Sequence, residues 1–278
     1  MTNHGNMYGP NFTFLGINRC DLDKPETFKD ADVVIVGAPI DSGTSHRSGA
    51  KFGPQAIRMG DYLPHDGERP HLALRTDGLK DLKVVDAGDL IMNGGDLVGS
   101  LKLLEAATEK ISKAGAIAVV LGGDHSIASA DVAGIANHRG KGKVSMIHFD
   151  AHADTGADQF GALVGHGTPM RRLIENGHVR GDRFLQLGLR GYWPDDATLN
   201  WMRDQGMRSY EMTEIHHRSL KTVLDESFSI LTDGCDGVFL SVDIDVVDPG
   251  MAPGTGTPEP GGMTSRELLE AVRRICLE

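Results

Sequence analysis

Short, largely apolar runs punctuate the chain, each followed by Gly or Asp. They cover residues 33–36, 83–85, 116–121, 144–149, 184–187 and 238–242. Uninterrupted apolar runs of this length are what strands buried on both faces of a parallel sheet look like. Between them, residues 96–114, 126–137, 169–176 and 264–276 carry apolar positions at helical spacing. The alternation predicts an α/β fold, doubly wound, with helices on both faces of a mainly parallel sheet. The Gly- and Pro-rich stretch 248–262 (DPGMAPGTGTPEPGG) has the composition of a linker. It directly follows a strand carrying two aspartates, and open α/β sheets place ligands at the carboxyl ends of their strands, so it reads as a site loop.

A length of 278 residues suits one α/β domain with one core, expected to span 1–278. Net charge changes the picture more: 28 basic against 39 acidic residues leave −11, with no clustered basic surface. That disfavours nucleic-acid binding, which needs phosphate neutralisation, and favours a small cationic substrate. The three cysteines, Cys20, Cys235 and Cys276, are widely spaced and form no CxxC pattern. Neither a disulfide framework nor a thiolate zinc site is expected. With no signal-peptide pattern and no membrane-spanning run, the expectation is a cytoplasmic protein.

Three strand ends carry the chemistry. At the end of the 144–149 run, Asp150, His152 and Asp154 alternate, so a side-chain period of two lets all three project to one side. Asp243 and Asp245 close the 238–242 run with the same spacing, and Gly122-Gly123-Asp124-His125-Ser126 turns sharply to deliver His125 at a helix start. Any one cluster could be a capping Asp or a satisfied loop His. Three in one chain supply enough carboxylates for two cations with shared ligands, and carboxylate with imidazole suits Mn²⁺, and Zn²⁺, Co²⁺ or Ni²⁺ as well. A two-metal site acidifies a shared water, so hydrolysis is the implied reaction.

GGDHS, FDAHADT and SVDIDVVDPGMAPGTGTPEPGG resemble, in order and spacing, the signature segments of the ureohydrolase family of arginases and agmatinases. The 41–58 segment resembles that family's first-strand loop, so the likeness covers nearly the whole chain. It implies an arginase-like three-layer α/β/α fold with two Mn²⁺ per subunit, Ni²⁺ or Co²⁺ being alternatives. His125, Asp150, Asp154 and Asp243 would hold one ion; Asp150, His152, Asp243 and Asp245 would hold the other. Asp154 would also orient the attacking water. His166, between two glycines, matches a family histidine that contacts substrate and carries protons; a merely solvated loop histidine is the alternative. Thr257 resembles a hydroxyl lining the guanidinium pocket. The family also implies a homo-oligomer, a trimer or hexamer.

The implied reaction is cleavage of agmatine to urea and putrescine. Thr155-Gly156-Ala157-Asp158 lacks the Asn and Ser that follow the metal motif in arginases, which disfavours arginine. Hydrolysis of guanidinobutyrate, guanidinopropionate or a similar compound is the alternative, with Arg171 or Arg172 conceivable as carboxylate readers but expected to be surface charges. The family pattern continues beyond Glu278 with a strand and a helix, and that strand ends in a guanidinium-binding Glu. Their absence here leaves two expectations open, a fragment of a longer chain or a non-catalytic subunit. A single-zinc deacetylase would need fewer carboxylates. His148 shares the parity of the ligand face but lies deeper in its strand, so core packing is expected of it. His46, His65, His71, His138, His178, His216 and His217 show no site spacing, although His46 could reach the pocket mouth. Trp193 is expected as a pocket wall or an oligomer contact.

Overall fold

A computed structural model describes residues 4–5, 7–60 and 70–278; His65 lies outside them. The chain divides into two compact units, Met1–Gly43 with Ser48–His138, and Thr44–Arg47 with Arg139–Glu278.

The first unit contains β1 (His4–Gly5), β2 (Val33–Ala38), α1 (Gly53–Met59), α2 (Gly78–Asp81), β3 (Val84–Leu90), α3 (Leu97–Lys113), β4 (Ile117–Gly122) and α4 (Ile127–Arg139). Its strands run in the order β1-β3-β2-β4, with β2 parallel to both neighbours and β1 antiparallel to β3. α3 places Leu101, Leu104, Ala107 and Ile111 in the core, as its periodicity predicts, and Asp96 caps its start by accepting from the Gly99 N–H at 2.8 Å. A buried ion cluster ties α1 to β3. The Arg58 guanidinium meets both oxygens of Asp86 at 2.9 Å and one oxygen of Asp89. This fork geometry satisfies carboxylates that would otherwise be stranded in the core.

The second unit contains β5 (Val144–Phe149), α5 (Pro169–Glu175), β6 (Val179–Leu189), α6 (Asp196–Asp204), β7 (Arg208–Glu211), α7 (Met212–Arg218), α8 (Leu220–Leu231), β8 (Gly237–Val242) and α9 (Ser265–Leu277). Its four strands are all parallel, in the order β7-β6-β5-β8. Ile147 and Phe149 of β5 and Leu185 and Leu187 of β6 form its core with Tyr210, Val223, Leu224 and Val246. α9 begins with the capping box that the sequence Thr264 to Glu267 encodes, Thr264 and Glu267 each satisfying the other's backbone N–H. The parallel strands and flanking helices are those of the predicted α/β class. The apolar runs and helical stretches read from the sequence did not include β1, α1, α2, β7, a four-residue half-polar strand, or α6 to α8. In β4 and β8, each at the edge of its sheet, Ile117, Val119, Val238 and Val242 stay exposed. Among the described residues no helix is long and apolar enough to cross a membrane.

Asp131 on α4 is buried, with one carboxylate oxygen lacking a hydrogen-bond partner. Burial pushes its carboxyl up to about 8 from an ordinary value of 3.8. The folded chain therefore keeps this proton where the unfolded chain releases it. The stability contributed by the neutral form is complete below the unfolded value and is lost as pH rises through the folded one. Asp131→Asn, neutral at every pH, is expected to flatten the decline in Tm between roughly pH 4 and pH 8. Thermal unfolding of both proteins across that range checks it, and parallel profiles would refute the assignment.

Candidate metal centre

β5 and β8 pair with Phe149 opposite Val242, so the next residues, Asp150 and Asp243, leave their strands at the same level. Backbone bonds carry the ladder one step further: Asp243 N–H donates to Phe149 O at 2.8 Å, and Asp150 N–H donates to Leu187 O at 3.1 Å. Gly188 makes this closeness possible. Its φ is +113°, and a Cβ there would lie 2.8 Å from Asp150 O.

Each acid is then held by backbone. Asp150 Oδ1 accepts from His152 N–H at 2.6 Å. Asp243 Oδ1 accepts from Asp245 N–H at 2.9 Å as the chain enters the single turn Ile244–Val246. Asp245 Oδ1 accepts from Ala151 N–H at 3.0 Å, crossing from one strand end to the other. Its Oδ2 lies 3.1 Å from His152 Nδ1. One donor atom from each of Asp150, His152 and Asp245 lies within 4.8 Å of the others, and the same holds for His148, Asp150 and Asp154. Asp243 belongs to neither group. Asp154 adopts the left-handed region at φ +52°, an uncommon conformation that an Asp tolerates better than most residues.

This many acids in one place is electrostatically costly. Burial, then the charges of Asp150 and Asp243, raises Asp245 to about 8. Burial would lower His152, but its hydrogen bonds to Asp150 and Asp245, and their charges, outweigh that and raise it to about 11. The two acids thus favour positive charge at His152. A divalent cation supplies more charge at the same place and leaves the imidazole free to ligate. Carboxylate oxygens and imidazole nitrogens make a donor set that fits such an ion.

Around this centre the remaining expected residues fall into place differently. Thr257 Oγ1 stands 3.5 Å from Asp245 Oδ2, bringing the Gly- and Pro-rich loop to the acids, as its position after β8 suggests. His166 sits half-buried on a loop closed on itself: Gly156 N–H donates to Gly167 O at 2.9 Å, and Gly167 N–H to Gln159 Oε1 at 2.9 Å. His166 Nε2 accepts from Ser45 N–H at 3.1 Å, with Ser45 Oγ 2.6 Å away, which leaves the ring proton to Nδ1. His125 lies two residues before α4 in the first unit, on a turn whose Asp124 accepts from Gly43 and Ser126 N–H. Arg171 lies over the Trp201 ring at 4.0 Å and donates to Thr155 O at 2.8 Å. Arg172 donates to Ala157 O at 3.2 Å. Both brace a loop and neither is the free surface charge that the sequence suggested. Trp193 is 71% exposed.

Sequence reasoning missed Ser45, Gln159 and Arg190. The last donates to the carbonyls of Asp245 at 2.6 Å and Glu259 at 2.7 Å, fastening the long loop to the Asp245 turn. These partners come from distant segments and no local motif announces them.

Residues 31–277 match the model of the Arginase family. The chain is 38% identical over 255 residues to a guanidinobutyrase of Pseudomonas aeruginosa, covering 91% of this chain and 77% of that one. It is 37% identical to a mitochondrial agmatinase of Gallus gallus, covering 87% and 69%. Its structure resembles that of proclavaminate amidino hydrolase from Streptomyces clavuligerus, with a TM-score of 0.81, 34% identity, and coverage of 96% and 84%.

If the acids hold a cation, Mn²⁺ should raise the Tm of metal-depleted protein. Linkage gives about 2.7 kcal/mol at a hundredfold excess over Kd. Asp150→Asn is expected to remove most of that shift; an equal shift in both proteins would rule out Asp150 as a ligand.

Proposed function

Because the chain belongs to the arginase family, and so is a hydrolase of guanidino C–N bonds, we propose that its substrate is agmatine, cleaved with water to urea and putrescine. The observation that carries this reading is the convergence of Asp150, His152 and Asp245 at the carboxyl ends of β5 and β8. Two divalent cations, Mn²⁺ or alternatively Ni²⁺ or Co²⁺, would acidify a shared water and polarise the guanidinium when bound.

The chain's own residues divide the remaining work. Asp150 and Asp243, level at their strand ends, are the proposed bridging ligands. His125 and Asp154 complete one ion's ligands, and His152 and Asp245 the other's. The GGDHS and FDAHADT motifs support these assignments. Asp154 accepts a hydrogen bond from the attacking water and orients it toward the guanidinium carbon. Thr257 offers its hydroxyl to the guanidinium. His166 contacts the substrate and gives a proton to the departing amine nitrogen as the C–N bond breaks, and Ser45 fixes the ring that does so. A homo-oligomer in a cytoplasmic setting accompanies this reading.

Arg190 spends its whole guanidinium on backbone carbonyls, and Arg171 and Arg172 each donate to a loop carbonyl and pair with Glu175, which favours a substrate without a carboxylate. One observation favours a second reading, a guanidino acid such as guanidinobutyrate. Arg47 is exposed two residues after Ser45, and its carbonyl would lie 3.1 Å from a Cβ on Gly256, beside Thr257.

The test is urea release by Mn²⁺-loaded protein from agmatine, arginine, guanidinobutyrate and guanidinopropionate. Agmatine is expected to turn over fastest, and Asp150→Asn to reduce release to background. Faster guanidinobutyrate turnover, lost selectively in Arg47→Ala, would transfer the assignment to the acid. No urea from any of the four would sink both readings.

A further inference from the structure

One level beneath the acids, a row of polar side chains crosses the otherwise apolar second sheet. His148 on β5 is in register with Gln186 on β6 and with Ser241 on β8. Gln186 is in register with Ser209 on β7. His148 and Gln186 are wholly buried, where polar groups are costly unless fully matched. We propose that His148 and Gln186 form a positioning pair that fixes the Asp150 carboxylate for its cation. The inference rests on the metal-dependent reading above and deepens it.

The hydrogen bonds determine each proton in turn. Gln186 Nε2 lies 2.7 Å from Ala153 O, and a carbonyl can only accept, so the amide nitrogen must face that way. Ser209 Oγ donates to Gln186 Oε1 at 3.1 Å, consistent with the same orientation. The second amide N–H then points at His148 Nδ1, 3.1 Å away. Two hydrogens cannot share that gap, so Nδ1 carries the lone pair and the ring proton is on Nε2. Nε2 faces Asp150 Oδ2 at 2.8 Å and donates to it. His148 thus has both nitrogens committed and is not itself a ligand. Asp150 is gripped on both oxygens, by His148 on Oδ2 and by His152 N–H on Oδ1, and each oxygen keeps lone-pair capacity for a cation.

Partners of this kind orient metal ligands, and their loss typically costs about 10- to 100-fold in metal affinity or activity. Mn²⁺ affinity, read from the EPR signal of free ion, is therefore expected to fall by about that factor in His148→Phe. His148→Gln, whose amide can donate from the position of Nε2, should recover most of it. A His148→Phe variant that is folded by circular dichroism and binds Mn²⁺ as the wild type does would overturn the proposal. A second measurement needs no variant to fold well: ¹⁵N NMR of the metal-free wild type should show His148 protonated on Nε2 only. A proton on Nδ1 would overturn the proposal by itself. Neither readout uses a substrate, so absent urea release would sink the agmatine reading while leaving the positioning pair standing on its affinity and its tautomer.

Discussion

The site depends on one constraint, the parallel pairing of β5 with β8 in a register that ends both strands together. Phe149 faces Val242, so the two chains release Asp150 and Asp243 side by side, and Asp245 folds back to take the Ala151 N–H. Shifting that register by one residue would turn the ligand face into the core. The apolar packing of Ile147, Phe149, Leu185 and Leu187 is what holds it, because each is fully buried in the second unit's core. Hydrophobic burial thus fixes the positions of charges that would otherwise repel one another.

That repulsion shapes the surroundings. With Asp150, Asp243 and Asp245 so close, the protein sets donors against their oxygens: backbone N–H groups on Oδ1 of all three, and the imidazoles of His148 and His152 on Oδ2 of Asp150 and of Asp245. A partly compensated cluster of this kind is preorganised: its donor atoms are already held in place for the cation that we propose. The same logic extends outward. Arg190 fastens the loop carrying Thr257, and Gln159 closes the loop carrying His166, so the glycine-rich segments around the centre are tied down by side-chain hydrogen bonds. Backbone carbonyls absorb most of the local arginines, and the acidic centre keeps its field for a cationic substrate.

Much of this was legible in the chain. Largely apolar runs marked β2 to β6 and β8 within a few residues, and helical spacing marked α3, α4, α5 and α9. Gly or Asp after each run located the carboxyl ends where ligands gather. The alternation Asp150, His152, Asp154 and the pair Asp243, Asp245 gave the donor types, because side-chain parity along a strand is a local property. Less visible were β7 and α6 to α8, whose burial comes from packing against α/β neighbours, and the start of β6, which extends back to Val179 across a register shift.

The sequence by itself determined the α/β class, the reaction type and the donor types of the candidate metal centre, since these follow from periodicity and residue type within short segments. Only the tertiary structure decided how the donors are oriented. His148, expected as core packing, is buried as expected, yet it holds Asp150 through a proton placed by Gln186, 38 residues away in sequence. Arg171, expected on the surface, lies over Trp201 instead. Ser45 holds His166 from 121 residues away. Such contacts depend on strand order and register, which place distant residues side by side, and no local pattern encodes which partner a hydrogen bond will find.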